Sequence, residues 1–529
     1  MSTESSVFSF PHAENTLESE EPAQQDCRLN GSFERSLKLA FEMHNAGRIQ
    51  EAEAMCRVLM QVQPKDAQVL FLLGTILHKT GRDEEAVQWL SLAARYQPQS
   101  ARIFNELGCA CQNLKNHSRA ASYFKRALEL KPGASAIYYN LGKTCYELDQ
   151  IERAVTLFRR AVEIHPRDAA SWNNLGKCLK DLNRLDESIE AYDRAVDIAP
   201  DYKLPRYGRA IALLTAGRLA EGFREYEWRW ELKNIRKLSR PEWKGESAPG
   251  KTLLVHAEQG FGDAVQMVRF IPAACERVAR VILECRPELK TLFQYSKCAD
   301  TVIAFGEPIP PFDCFLSLMS LPLALGVTLD SIPNRHSYLQ APLGERLPSD
   351  HSGCLKVGLV WAGNPGHHRD AIRSIRLEKL APILQVPDVV FYSLQQTVPA
   401  QDEPFLRSQS GVIHSGLTLA NFLDTASVIA QLDLVIAVDT SVAHLAGALG
   451  KPVWTLLPHS PDWRWFLNRT DSPWYPTMQL YRQTERNRWV MPVMCVAEAL
   501  RRLSASTQVA ARRVPKIEPG FSAAISVAA

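Results

Sequence analysis

Two short stretches hold the residue types that a group-transfer reaction needs. In His256-Ala257-Glu258-Gln259-Gly260-Phe261-Gly262-Asp263, an apolar run ends in two glycines and an aspartate. Gly260 and Gly262 permit a tight turn and a close approach of backbone to a ligand, and Asp263 falls where a helix would begin. From position alone Asp263 reads as an N-cap that accepts first-turn amides. In Val438-Asp439-Thr440-Ser441-Val442-Ala443-His444 a strand-like run ends at Asp439 and a helix opens through Thr440 and Ser441. Unpaired amides and the positive end of the helix dipole make that opening a phosphate site. His444, one turn further on, either donates to a phosphate oxygen or carboxylate or is a core histidine. No G-x-x-x-x-G-K-[ST] element occurs, so the phosphate is not held as ATPases hold it.

The elements that position these stretches are short apolar runs rich in β-branched residues: TLLVHAE, VILEC and TVIAF, then LKVGLVWAG, VVFYSLQ, LDLVIAVD and PVWTLLP. Helical-period segments such as DAVQMVRFIPAACERV, LANFLDTASVIAQ and SVAHLAGALG alternate with them. That alternation predicts buried parallel sheets covered on both faces, in two Rossmann-like lobes spanning 251–345 and 354–503 with a cleft between them. Ligands in such folds sit at the carboxyl ends of strands. By that rule Asn364, Gln395, Asp424 and Thr425 either meet base or ribose or serve as caps and turns. Trp463, Arg464 and Trp465 either stack on a ligand or pack the lobes together.

Ahead of the lobes the chain is periodic. Pro64, Pro98, Pro132, Pro166 and Pro200 are 34 residues apart, and Gly74, Gly108, Gly142 and Gly176 keep the same frame. Ala86, Ala120 and Ala154 (Ser188 in the next repeat), the aromatics Phe124, Phe158 and Tyr192, and Ala93, Ala127, Ala161 and Ala195 complete a small-and-large alternation suited to packed helix pairs. Residues 33–236 resemble the tetratricopeptide repeats, about six helix pairs, with atypical first and last repeats as caps. A concave wall is expected to carry Asn105, Tyr139, Asn140, Lys143, Asn173, Asn174, Lys177 and Lys180. Singly these read as solvated residues; together they read as a groove for an acceptor peptide, similar to the asparagine ladder of nucleocytoplasmic O-linked N-acetylglucosamine transferases.

As a set, HAEQGFGD, GLVWAGNP, Arg373-Ser374, DTASVIAQLDLVIAVDTSVAHLAGALGKPVW and PDWRW resemble bacterial repeat proteins carrying a glycosyltransferase module similar to the heptosyltransferases of family nine, with the GT-B fold. The resemblance covers about residues 240–485. It implies that Asp263 is the general base, that Asp439, Thr440, Ser441 and His444 contact the nucleotide diphosphate, and that Arg373, or else Arg369 or His368, offsets leaving-group charge. Attack opposite the leaving group predicts inversion at the anomeric carbon. No D-x-D occurs, so no metal or other cofactor is expected, the nucleotide-sugar being the substrate.

The first lobe is short, which argues against a large lipid-linked acceptor and directs acceptor choice to the repeats. A Ser or Thr of a recruited protein is the leading acceptor, as in the similar repeat-fused enzymes that modify flagellin. Transfer to a polysaccharide or lipid-linked glycan, and a non-catalytic adaptor, are the rival readings. A formal charge of +3 gives no reason to expect nucleic acid, and the 12 cysteines lack the paired spacing of a zinc site. An acidic start, expected disordered over 1–32, is unlike a secretory or mitochondrial leader, and no apolar run reaches membrane-spanning length. The expected location is cytoplasmic, with a linker over 237–250 and a flexible tail over 504–529.

Overall fold

The computed structural model describes residues 22–513, apart from 233–235, 237, 335, 345–346, 348–352, 368 and 415–418. The chain divides into two compact units, Met1–Ser171 and Trp172–Ala529. Among the described residues no helix is long and apolar enough to cross a membrane.

The first 13 helices are α1 (Pro22–Asn45), α2 (Ile49–Val62), α3 (Ala67–Lys79), α4 (Asp83–Tyr96), α5 (Ala101–Asn113), α6 (His117–Leu130), α7 (Ser135–Glu147), α8 (Ile151–Ile164), α9 (Ala169–Asp181), α10 (Leu185–Ile198), α11 (Lys203–Thr215), α12 (Leu219–Tyr226) and α13 (Arg229–Leu232). The repeat frame has a direct steric cause. A Cβ on Gly108 would lie 2.5 Å from the Phe124 ring, so α5 and α6 can touch only without that carbon. The pairs end their first helices with a residue in the left-handed region at Gly47, Gly81, Lys115, Asp149, Asn183 and Gly217, again 34 apart. Sequence alone hid this second frame because three of the six residues are not glycine. α1 begins at Pro22, earlier than the array start expected at 33, while the expected acidic tail over 1–21 lies outside the described residues.

Beyond the repeats run β1 (Ala248–His256), α14 (Phe261–Met267), α15 (Ile271–Cys275), β2 (Val278–Cys285), α16 (Pro287–Tyr295), β3 (Thr301–Ala304), β4 (Cys314–Ser317) and α17 (Leu321–Ala324). There follow β5 (Leu355–Val360), α18 (Asp370–Arg373), α19 (Ala381–Leu384), β6 (Val389–Ser393), α20 (Glu403–Arg407), β7 (Val412–His414), α21 (Phe422–Ala430), β8 (Leu434–Val438), α22 (Ser441–Ala448), β9 (Val453–Leu457), β10 (Met478–Arg482) and α23 (Val490–Arg513). All pairings within the two sheets are parallel, in the orders β3-β2-β1-β4 and β10-β9-β8-β5-β6-β7. The architecture is a helical solenoid followed by an α/β domain of GT-B type. The seven apolar runs form strands; β4, β7 and β10, at most five residues each, carry too little pattern to be read beforehand.

Strand order reverses at β1/β4 in the first sheet and at β8/β5 in the second. The loops leaving β1, β5 and β8 therefore diverge at switch points, where a crevice must open. Asp263, Arg373 and Asp439 all follow those strands.

Two boundaries differ from the sequence reading. α23 continues to Arg513, past the tail start expected at 504, with Ser504 Oγ donating to Pro387 O at 2.9 Å. Ala210, Leu214, Leu219, Phe223 and Tyr226 of α11 and α12 belong to the same buried core as Leu253, Val265 and Trp463 of the α/β domain. Within the expected linker, Trp243 N donates to Phe315 O at 2.9 Å and runs alongside β4.

Candidate functional site

Asp263 is the third residue of α14, whose N-cap is Gly260. Its Oδ2 accepts from Gly260 N at 2.8 Å, so it reaches back to the cap amide from the third helical position and is not the N-cap that the sequence suggested. Its Oδ1 is paired with Arg464 Nη2, reaching across from the loop after β9. Arg464 is buried; it also donates from Nη1 to Asp462 Oδ1 at 2.6 Å and from Nε to Gln266 Oε1 at 2.6 Å. A guanidinium taken out of water needs this degree of pairing. Gly262 sits against α22: a Cβ there would lie 3.0 Å from His444 Cδ2. The glycine thus brings the loop after β1 of the first lobe onto α22 of the second.

At that second loop Thr440 is the N-cap of α22, yet its side chain makes no cap bond, and among the described residues its buried Oγ1 has no hydrogen-bond partner. Ser441 and Val442 open the helix with amides that no preceding helical carbonyl can satisfy. Asp439, between β8 and this cap, has its pKa raised by burial and by the facing Asp462 carboxylate, against the pull of Arg373. Arg373 Nη1 donates to Asp439 O at 3.0 Å and Nε to Asp370 Oδ1 at 3.3 Å. A Cβ on Gly363 would lie 2.4 Å from Arg373 Nη2, so the glycine of WAGNP makes room for this guanidinium. Arg369 lies nearby, donating to Ser460 O at 2.5 Å; His368 is outside the described residues. His444 is buried, with Nδ1 2.8 Å from Tyr475 Oη and its ring stacked on Trp465 at 5.0 Å. Burial drives its pKa down to about 3, so it is a neutral imidazole and not a positive charge for phosphate.

Other expected contacts are occupied by the fold. Gln395 uses its amide on Trp361 N, Ala362 N, Ala362 O and Thr397 O, tying the ends of β5 and β6 together. Asp424 closes a capping box with Asn421, and Thr425 Oγ1 donates to Asn421 O at 3.2 Å. Exposed Asn364 accepts from Gly366 N at 2.9 Å in a turn. The cap and turn alternatives hold for these four. Trp463 and Trp465 are buried and pack the lobes, whereas Arg464 between them holds the candidate base. A charged pair set among tryptophans in PDWRW was the available signal, since charges buried there must find partners.

Of the expected groove residues in the first unit, Asn140 Nδ2 donates to Asn105 Oδ1 at 3.1 Å, so part of the ladder bonds to itself. Tyr139 packs edge-on against Phe158 at 5.9 Å with Lys143 Nζ 5.6 Å from its ring centroid. In the second unit Asn173 and Asn174 are half-buried and Lys177 is exposed. Lys180 departs from expectation: its side chain is 12% exposed and paired with Asp181 at 2.7 Å. Burial lowers its pKa, and charges at Arg369 and Asp462 of the second lobe act on it. Asn183 Nδ2 donates to His459 O at 2.7 Å, fastening the same repeat loop to that lobe.

The repeats also reach the first lobe. Buried Arg229 of α13 pairs with Glu258 at 3.2 Å and with Glu227 at 2.6 Å, and donates to Ser317 and Ser320. Gln259 Nε2 donates to Tyr226 Oη at 3.3 Å, and Tyr207 and Tyr226 stand 5.7 Å apart between ring centroids. No group of three His, Cys, Asp or Glu side chains is gathered for a metal ion among the described residues.

Comparison with known proteins agrees with this layout. Tetratricopeptide repeat models match residues 44–105, 105–169 and 139–203. The model of glycosyltransferase family 9 (heptosyltransferase) matches residues 417–488, which include the Asp439–His444 and Asp462–Arg464 segments. Protein FlbA of Caulobacter vibrioides is 28% identical over 342 residues, covering 58% of this chain and 56% of its own length, so the match spans little more than half of that relative. Among solved structures, YrrB, described as a TPR protein with an unusual peptide-binding site, gives a TM-score of 0.31 at 19% identity, covering 36% of this chain and 98% of that one. MamA gives 0.29 at 18% identity, covering 30% and 94%.

Proposed function

From a chain that joins tetratricopeptide repeats to a family 9 glycosyltransferase domain, we propose an inverting, metal-independent enzyme. It would move a sugar from a nucleotide-sugar to a hydroxyl, that of a Ser or Thr on a protein recruited by the repeats. The observation that carries this reading is the meeting of two loops: Gly262 lets the turn that bears Asp263 in the first lobe stand against Ser441 and His444 of α22 in the second, the helix capped by Thr440, whose hydroxyl has no partner among the described residues.

The donor phosphate would take the α22 amides and Thr440 Oγ1, and Arg373 would offset the charge that gathers on the leaving oxygen. Asp263 would accept the proton of the acceptor hydroxyl. The hydroxyl oxygen then bonds the anomeric carbon as that carbon's bond to phosphate breaks, the electron pair leaving with the nucleotide. Attack from the face opposite the phosphate inverts the centre. Absence of a D-x-D pair in the sequence supports a site that manages phosphate charge with amides and arginine alone.

Replacing Asp263 with Ala is expected to lower turnover by a factor of about 100 or more while donor affinity changes little. Calorimetric titration with a panel of UDP-, ADP- and CMP-sugars, followed by nucleotide-release assays on the one that binds, measures both. Wild-type turnover in the variant would remove Asp263 from the mechanism. Intact-mass analysis of proteins co-purified with the chain, with and without donor, tests the acceptor: a sugar-sized increment is the expected result.

A further inference from the structure

Arg464 is shared between two carboxylates of different character. Asp462, two residues before it, accepts from Nη1 at 2.6 Å and from the Arg464 amide at 3.2 Å. Asp263 takes Nη2 from across the lobe junction. Gln266, one turn along α14 from Asp263, takes Nε, and the guanidinium lies 4.4 Å from the Trp463 ring centroid, which fixes its plane.

The groups facing Asp263 come from four directions. On its own helix they are Gln266 and the Gly260 amide. From α11 and α12 they are Tyr207 and Tyr226, both with pKa values raised by burial. From α22 comes His444, held neutral by burial, and from the loop after β9 come Arg464 and, behind it, Asp462. Among the described residues Arg464 is the cation in contact with this carboxylate.

We propose that Arg464 is a positioning residue for Asp263: supplied by the second lobe, it orients the carboxylate, so the base is complete only where the two lobes pack together. This rests on the reading of Asp263 as the base. Once Asp263 carries the acceptor's proton, Asp462 remains as the guanidinium's counter-charge, so no buried cation is left unpaired.

The test is a double-mutant cycle on the full chain, read as nucleotide release from the donor that binds and as donor affinity by calorimetric titration. Arg464→Gln combined with Asp462→Asn, which removes one charge of each sign and keeps the cluster foldable, is expected to lower turnover about tenfold or more with donor affinity little changed. Arg464→Lys, which keeps the charge but not the three-way reach, is expected to recover part of that loss. In the Asp263→Asn background the same changes are expected to cost nothing further, because the group they position is gone. Wild-type turnover in both folded Arg464 variants, or an equal further loss in the Asp263→Asn background, overturns the proposal. If Asp263→Asn itself releases nucleotide at the wild-type rate, the base reading fails instead.

Discussion

Among the described residues Thr440 Oγ1 is buried without a partner, an arrangement that costs on the order of 1–3 kcal/mol unless a ligand or water supplies the bond. In the proposed reading that ligand is the donor phosphate at the opening of α22. Thr440→Val keeps the β-branched shape and removes only the hydroxyl. It is expected to weaken donor binding about tenfold or more, the value of a hydrogen bond to a charged group, while leaving thermal stability unchanged or slightly higher. Isothermal titration and a melting curve on the same variant separate the two effects. A lowered melting temperature with unchanged affinity would show the hydroxyl to be structural. The neutral state of His444 makes a companion point at this scale. The resemblance placed it at the phosphate, and in the described structure its Nδ1 is bonded to Tyr475 and its ring is stacked on Trp465.

At the scale of elements, the turn closing each helix pair recurs in a left-handed conformation whose occupant changes. Gly47, Gly81 and Gly217 adopt it without a Cβ penalty, but exposed Lys115 holds φ 56° at the same place. A non-glycine residue there costs about 1–2 kcal/mol, and glycine's greater freedom in the unfolded chain returns part of the gain. Lys115→Gly is therefore expected to stabilise the first unit by about 0.5–1 kcal/mol, measured by urea unfolding of the full chain. Destabilisation would mean that the Lys115 side chain contributes more than its backbone strain costs. The 34-residue proline and glycine frame was legible because those residues are set by sterics local to one pair, such as Gly108 against Phe124. The positive-φ frame was not, because several residue types tolerate it. The short strands β4, β7 and β10 escaped for a related reason: three to five residues in a sheet core carry hydrophobicity without a distinguishing period.

At the scale of the whole molecule, the last repeat helices and the α/β domain share a core through α11 and α12. Phe223 meets Trp463 edge-on at 5.7 Å and is 1% exposed. Phe223→Ala is expected to cost about 3–5 kcal/mol and to unfold the α/β domain at lower denaturant, although the substitution lies in a repeat helix. Tryptophan fluorescence follows this through Trp463, Trp465 and Trp474, all buried in that domain. An unchanged transition of the α/β domain would mean that the two parts fold independently. Taken alone, the sequence determined the repeat period, the parallel strand–helix alternation and the two loops with chemical potential, because each is written in local spacing and residue type. Only the tertiary structure decided which bonds these side chains make within the fold. Asp424, Thr425 and Gln395 bond to caps and backbone, whereas Thr440 Oγ1 has no partner among the described residues. It also decided that Arg464 belongs with Asp263, 201 positions away, and that Lys180 is buried with its neighbour Asp181. A charge declares its partner only when burial removes water as the alternative.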